Sequence, residues 1–179
     1  MFKSKIYYAL SIIVLLSISC KTKQLAHDNK SPSSEGLSDQ KFIDYYSKYL
    51  GVPLEQGCNQ RFILSIAKWI NTPYAYGQNT LQGTDCSGLV QNLYLEVYNI
   101  QLEHNAHAQW QQAKALKESD LREGDLVFFK INTSRVGHVG LYINKGYFVH
   151  SSSKKGVIIS NLDEKYYRTY YFSSGRITK

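Results

Sequence analysis

Cysteine is scarce in this chain, three in 179 residues, so a small domain stapled by several disulfides is excluded. The apolar run at 6–18 is too short for a spanning helix, which needs about 20 residues. No internal repeat is present, which sets aside solenoids and propellers. Basic residues outnumber acidic ones, giving a net charge of +7, yet they are dispersed and form no basic helix; nucleic acid is therefore not an expected partner. His104 and His107 stand three apart without a carboxylate base, so the chain lacks the tight ligand pair of a zinc hydrolase. No metal or other cofactor is expected, and these two histidines are read as surface or cleft-wall residues.

What is present begins with an address. Met1-Phe2-Lys3-Ser4-Lys5 supplies a basic start, the run at 6–18 follows, and Leu16-Ser17-Ile18-Ser19-Cys20 places small residues before a cysteine. This is the pattern of a signal peptide over 1–19 whose cleavage leaves Cys20 as a lipidated N-terminus. Several acyl chains hold a protein stably at a bilayer, where one does so only marginally. Removing 1–19 takes away Lys3 and Lys5 and no acid, so a mild basic excess remains, suited to an acidic polymer outside the cytoplasm. Residues 20–37 are Lys, Thr, Gln, Asn, Ser, Pro and Gly with little to bury, which reads as a flexible tether. Lys21 in place of Asp favours the outer membrane, facing the periplasm, in a bacterium with two membranes.

The folded domain is expected over 38–179, a length that buries one core. Ser38 caps a helix with Phe42, Tyr45, Tyr46, Tyr49 and Leu50 on its apolar stripe, and Gly51 ends it. A second helix from about Asn59 carries Phe62, Ile63, Ile66, Ala67 and Ile70 and stops at Asn71-Thr72-Pro73; a third starts near Cys86 with Leu89, Val90, Leu93, Tyr94 and Val97 and fades at Asn99. Then the period changes. The segments 125–129, 138–143, 147–151 and 157–160 are short, β-branched and aromatic, separated by turn residues. Helices first and strands after make an α+β domain with an antiparallel sheet.

Cys86 stands at a helix start, where backbone N–H groups and the dipole favour an anion, so a thiolate nucleophile with a lowered pKa is expected. Such a nucleophile needs an imidazole and a group to orient it. His138 and His150 flank a hairpin; with Asn144-Lys145-Gly146 as a three-residue loop, Tyr142 pairs with Phe148 and Gly140 with His150, which sends both imidazoles to one face. A two-residue loop would put them on opposite faces. Val139, Leu141, Ile143 and Val149 make the other face apolar, and Gly140 leaves room for a ring. Cys58 is read as a partly buried filler, and the tyrosines at 166, 167, 170 and 171 as core and edge packing near a C-terminal strand.

Thr72-Pro73-Tyr74-Ala75-Tyr76-Gly77, Asp85-Cys86-Ser87-Gly88-Leu89-Val90, Gly124-Asp125-Leu126-Val127-Phe128-Phe129, Gly137-His138-Val139-Gly140-Leu141-Tyr142-Ile143 and Phe148-Val149-His150 occur in this order. The ordered set, from about Asn71 onward, resembles the NlpC/P60 family of cell-wall peptidases. The resemblance implies a papain-like α+β fold, N-terminal helices on an antiparallel sheet, and hydrolysis of peptide bonds in peptidoglycan stems, often between D-glutamate and a diamino acid. It also implies roles: Cys86 nucleophile, His138 base, His150 its orienting partner, Tyr74 support for substrate or oxyanion, Asp85 and Ser87 contacts to a peptide amine. A monomer acting on stem peptides and held to the membrane by its lipid follows. Gln78 and Leu102-Glu103-His104-Asn105-Ala106 depart from the family pattern and alter the cleft wall. A non-catalytic peptidoglycan-binding lipoprotein and a thiol acyltransferase are the competing readings on the same fold.

Overall fold

The computed structural model describes residues 39–178; the signal peptide, Cys20, the tether and the Ser38 cap lie outside them. In chain order the elements are α1 (Asp39–Leu50), α2 (Gln60–Trp69), β1 (Asn79–Thr80), β2 (Gly83–Thr84), α3 (Cys86–Tyr98), α4 (Ala106–Gln112), β3 (Lys114–Leu116), β4 (Leu126–Phe129), β5 (His138–Asn144), β6 (Tyr147–Ser152), β7 (Gly156–Asn161), α5 (Lys165–Tyr170) and β8 (Tyr171–Arg176). Six strands form one antiparallel sheet in the order β3-β8-β4-β5-β6-β7, and β1 and β2 form a separate hairpin.

The helices end where local chemistry ends them. The Asn59 side chain accepts from the Phe62 N–H and caps α2; Asp85 does the same for α3 through the Gly88 N–H. At the other end of α3, Asn99 turns left-handed at φ 55° and its N–H returns to the Leu95 carbonyl. α1 buries Phe42, Ile43, Tyr46 and Leu50, whereas Tyr45 and Tyr49, expected on that stripe, are 42% and 51% exposed. Ile43 takes the inward position because the buried stripe is narrower than the tyrosine spacing suggested.

Both sheet faces are covered. On one, Val139, Leu141, Val149 and Val157 meet Leu89, Val90 and Leu93 of α3 and the buried side chains of α1 and α2. On the other, Val127, Phe129, Phe148, Leu162 and Tyr167 form a smaller, aromatic cluster. The second face was expected to be polar; instead α5 closes it with Tyr167. The tyrosines at 166, 167 and 170 lie on that short helix, not on a strand, and only Tyr171 opens β8.

The β5–β6 hairpin differs from expectation in its loop and agrees in its register. Asn144 pairs with Tyr147, so the turn is the two residues Lys145 and Gly146, at φ 44° and 83°. The register then shifts between Tyr142 and Asn144, leaving Ile143 as a bulge, and Tyr142 pairs with Phe148 and Leu141 with Val149. The bulge absorbs the residue the shorter turn would have displaced. His138 and His150 therefore still share a face.

Candidate active site

Cys86 opens α3, and that position depends on the segment before it. Tyr74 bridges to Thr84, the Ala75 N–H reaches the Thr84 carbonyl at 3.2 Å, and the Ser151 hydroxyl donates to the same carbonyl at 2.8 Å. Asn71 and Thr72 exchange backbone bonds with Val157 at the start of β7. The tyrosine segment and the nucleophile are thus both fastened to the sheet edge.

The sulfur is buried, and the backbone N–H of Val139, the residue after His138, favours its charged form. Burial pushes the Cys86 thiol up to about 11, and the Asp85 charge adds to this, while the N–H groups of Val139, Ser87 and Cys86 pull the other way. The expected thiolate is therefore corrected: desolvation outweighs the helix start, and the resting nucleophile is a thiol. Burial likewise lowers His138 to about 4, so the imidazole rests neutral. Sulfur and ring both rest neutral.

The two histidines are joined. His138 Nε2 lies 2.9 Å from His150 Nδ1, with the rings perpendicular. Each ring nitrogen of His150 is occupied, since Nδ1 meets His138 and Nε2 faces Ser160 Oγ at 3.2 Å and Tyr167 OH at 3.0 Å. Burial and the nearby His138 hold His150 well below its ordinary range. If His138 Nε2–H donates to His150 Nδ1, His150 carries its proton on Nε2, and His138 Nδ1 is left free to take a proton. Gly140 makes the pairing possible: a Cβ there would sit 2.6 Å from the Phe148 ring and 3.3 Å from His150 Cβ.

Asp85 is buried and accepts from Gly77 N–H, Gly88 N–H, the Ser87 hydroxyl and His104 Nε2, at 2.8, 2.8, 3.0 and 3.0 Å. Burial pushes its carboxyl up, but these bonds together bring it below the ordinary carboxylate value. Tyr74 keeps its phenolic proton, because burial and the neighbouring Cys86 and Asp85 raise it. A cleft of about 420 Å³ opens here, lined among others by Tyr74, Tyr76, Cys86, His104, His107 and Arg135. His104 and His107 are cleft-wall residues, as read from the sequence. Among the described residues no group of three or more His, Cys, Asp or Glu is set to hold a metal ion. Cys58 is free, half-buried and packed against the larger core.

Sequence reasoning missed three contributors. Ser160 and Tyr167 hold the far side of His150, and Gln109, fully buried, donates to the Ser87 and Glu103 carbonyls at 2.9 and 2.8 Å. A tyrosine repeat at 166, 167, 170 and 171 was the one available signal; it was read as core and edge packing, which holds for buried Tyr167 but does not reveal its bond to His150.

These features have counterparts. A protein of Haemophilus influenzae named as an NlpC homolog is 41% identical over 110 residues, covering 62% of this chain and 58% of that protein. The murein DD-endopeptidase MepS/murein LD-carboxypeptidase of Escherichia coli is 33% identical over 174 residues, 94% of this chain and 89% of that protein. The gamma-DL-glutamyl hydrolase of Bacillus subtilis is 36% identical over 105 residues, 57% of this chain but only 25% of that protein. In three dimensions, an NlpC/P60 family protein from Bacillus cereus superposes with a TM-score of 0.61 at 26% identity, over 66% of this chain and 40% of that one. The NlpC/P60 family profile matches residues 71–176, from the tyrosine segment to the last residue of β8. With the helix-borne cysteine, the paired histidines and the sheet that holds them inside that span, the chain belongs to the NlpC/P60 family.

Proposed function

We propose that this chain is a peptidoglycan endopeptidase, hydrolysing a peptide bond in cell-wall stem peptides or their cross-links by cysteine chemistry. The observation that carries the reading is the joined pair of His138 on β5 and His150 on β6, next to Val139, whose N–H favours the charged form of the Cys86 sulfur. The relative that matches nearly the whole chain is named as a murein endopeptidase, which supports the substrate class.

Attack begins as the Cys86 thiol passes its proton to His138 Nδ1 and the sulfur adds to the scissile carbonyl. The oxyanion is received by the Cys86 N–H, which has no helical partner in the first turn, and by the Tyr74 hydroxyl. His138 then gives the proton to the leaving amine, and a thioester remains on Cys86. Water, deprotonated by His138, releases the acyl product and restores the thiol. His150 holds the ring in the tautomer this cycle needs. The Cys20 lipid would place the enzyme at a membrane surface outside the cytoplasm, within reach of the wall through the tether.

Protein incubated with peptidoglycan fragments should release new amino termini, and Cys86→Ala should release none above background; equal release by the variant would sink the mechanism. Iodoacetamide should abolish the activity and EDTA should leave it. Cys20→Ser should free the protein from membranes, and stable membrane association by that variant would contradict the anchor.

A further inference from the structure

The described lining of the Cys86 cleft holds one carboxylate, Asp85, and one guanidinium, Arg135. The two do not pair. Asp85 meets His104 at 3.0 Å, whereas among the described residues Arg135 makes a hydrogen bond only through its backbone N–H, to Thr133 Oγ1 at 3.2 Å. All the donors of its side chain are left for something that enters the cleft.

The loop 130–137, between β4 and β5, brings Arg135 there and fastens its backbone. Lys130 N–H donates to the Tyr170 carbonyl at 3.0 Å, and the Tyr170 hydroxyl donates to Asn132 Oδ1 at 3.1 Å. Val136 is 4% exposed and packs in the larger core, and Gly137 N–H returns to the Phe129 carbonyl at 3.2 Å. The loop's other cation is engaged, since Lys130 Nζ lies 3.6 Å from the centre of the Phe172 ring. Arg135 is thus an exposed, unpaired cation on a held backbone, three residues before His138.

A planar guanidinium with free donors matches a carboxylate through two parallel bonds, and a bound peptide that excludes water strengthens such a pair. We infer that Arg135 is a specificity-determining residue that receives a free carboxylate of the peptide lying in the Cys86 cleft. This rests on the peptidase reading above and narrows its substrate to peptides that keep such a charge near the scissile bond. Two sources share that chemistry. One is a carboxylate borne within the chain, by a residue linked through its side chain or carrying a second acid group; the other is the chain terminus. The pair forms with substrate and transition state alike, so it acts on KM.

The test uses a synthetic stem peptide with its carboxylates free, and derivatives in which one carboxylate at a time is the uncharged carboxamide: that of the glutamate, that on the diamino acid side chain, or that of the C-terminus. Wild-type protein should prefer the parent over one derivative by about tenfold in kcat/KM, carried by KM. That derivative identifies the source. Arg135→Gln should treat the parent and that derivative alike, at the wild-type rate on the derivative. Arg135→Lys, which keeps the charge without the planar fork, should retain part of the preference. Arg135 is exposed, so neither variant disturbs packing. Wild-type cleavage of the parent and every derivative within about twofold of one another, or a preference that survives Arg135→Gln, overturns the inference and leaves the peptidase intact. If no peptide is cleaved, calorimetric binding of the set to the Cys86→Ala chain reads the same ratios. A preference there that Arg135→Gln removes keeps the inference and costs only the peptidase reading; equal or absent binding overturns the inference.

Discussion

The two faces of the sheet do different work with different materials. The face under α3 is aliphatic and continuous: Val139, Leu141, Val149 and Val157 pack on Leu89, Val90 and Leu93, and the whole of α3, with Cys86 at its head, is positioned by apolar contact. The opposite face is small and aromatic, with Phe148 and Tyr167 against His150 and Phe129 against His138. A polar pair is kept at fixed geometry there by ring packing and by hydrogen bonds filling each nitrogen of His150. On the proposed roles, Cys86 is given a rigid support, whereas His138 is given a surrounding that fixes the His150 beside it and strips its water.

Exchanging the two kinds of damage should sharpen the contrast. His138→Ala should lower kcat roughly 10³–10⁴-fold, the scale of losing the base from a triad, with the melting midpoint little changed; an activity loss under about tenfold would remove His138 from the chemistry. Leu93→Ala, buried in the aliphatic face, should cost about 2–5 kcal/mol of stability in denaturant titration and leave kcat/KM nearly intact well below the transition. Were the two variants to show the same profile, the division of labour between the faces would be wrong. Tyr167→Phe removes one of the two oxygens at His150 Nε2 and leaves Ser160; steady-state kinetics should show a fall in kcat of about tenfold or less, enlarged when Ser160→Ala is added.

The smallest effect is in pH. Burial lowers His138 to about 4 against an ordinary 6.5, and His150 well below that value. Between those values the unfolded chain binds protons that the folded one does not, so stability is full above about 6.5 and is lost as pH falls toward 4. The acid limb of kcat/KM should fall near 4, where the free base protonates. A limb near 6.5 would mean that His138 is not desolvated as the aromatic face requires.

Several parts of the site were legible in the sequence because they depend on local rules. The helix start at Cys86 and its end at Asn99 follow from spacing and residue type, while the Asp85 cap and the left-handed turn at Asn99 emerge only in the structure. The shared face of His138 and His150 was also legible, although by a loop that is not there: a two-residue turn and a bulge at Ile143 give the same register as the three-residue loop expected. Alternation along a strand is robust to that exchange, since what matters is the number of residues absorbed and not where. The inward choice of Ile43 over Tyr45 and Tyr49 was not legible, because several phases of α1 present an apolar stripe and the neighbouring helices select one.

The sequence by itself determined the segments, the place of Cys86 at a helix start, the shared face of His138 and His150, and the family to which their order belongs. Tertiary structure decided the states of those groups. Whether Cys86 rests as thiol or thiolate depends on how much water the fold removes, and burial overrode the helix start. The donors that hold Asp85 and His150 come from residues as far apart as His104, Ser160 and Tyr167, and spacing along the chain carries no record of which side chains the fold will bring within a hydrogen bond of one another.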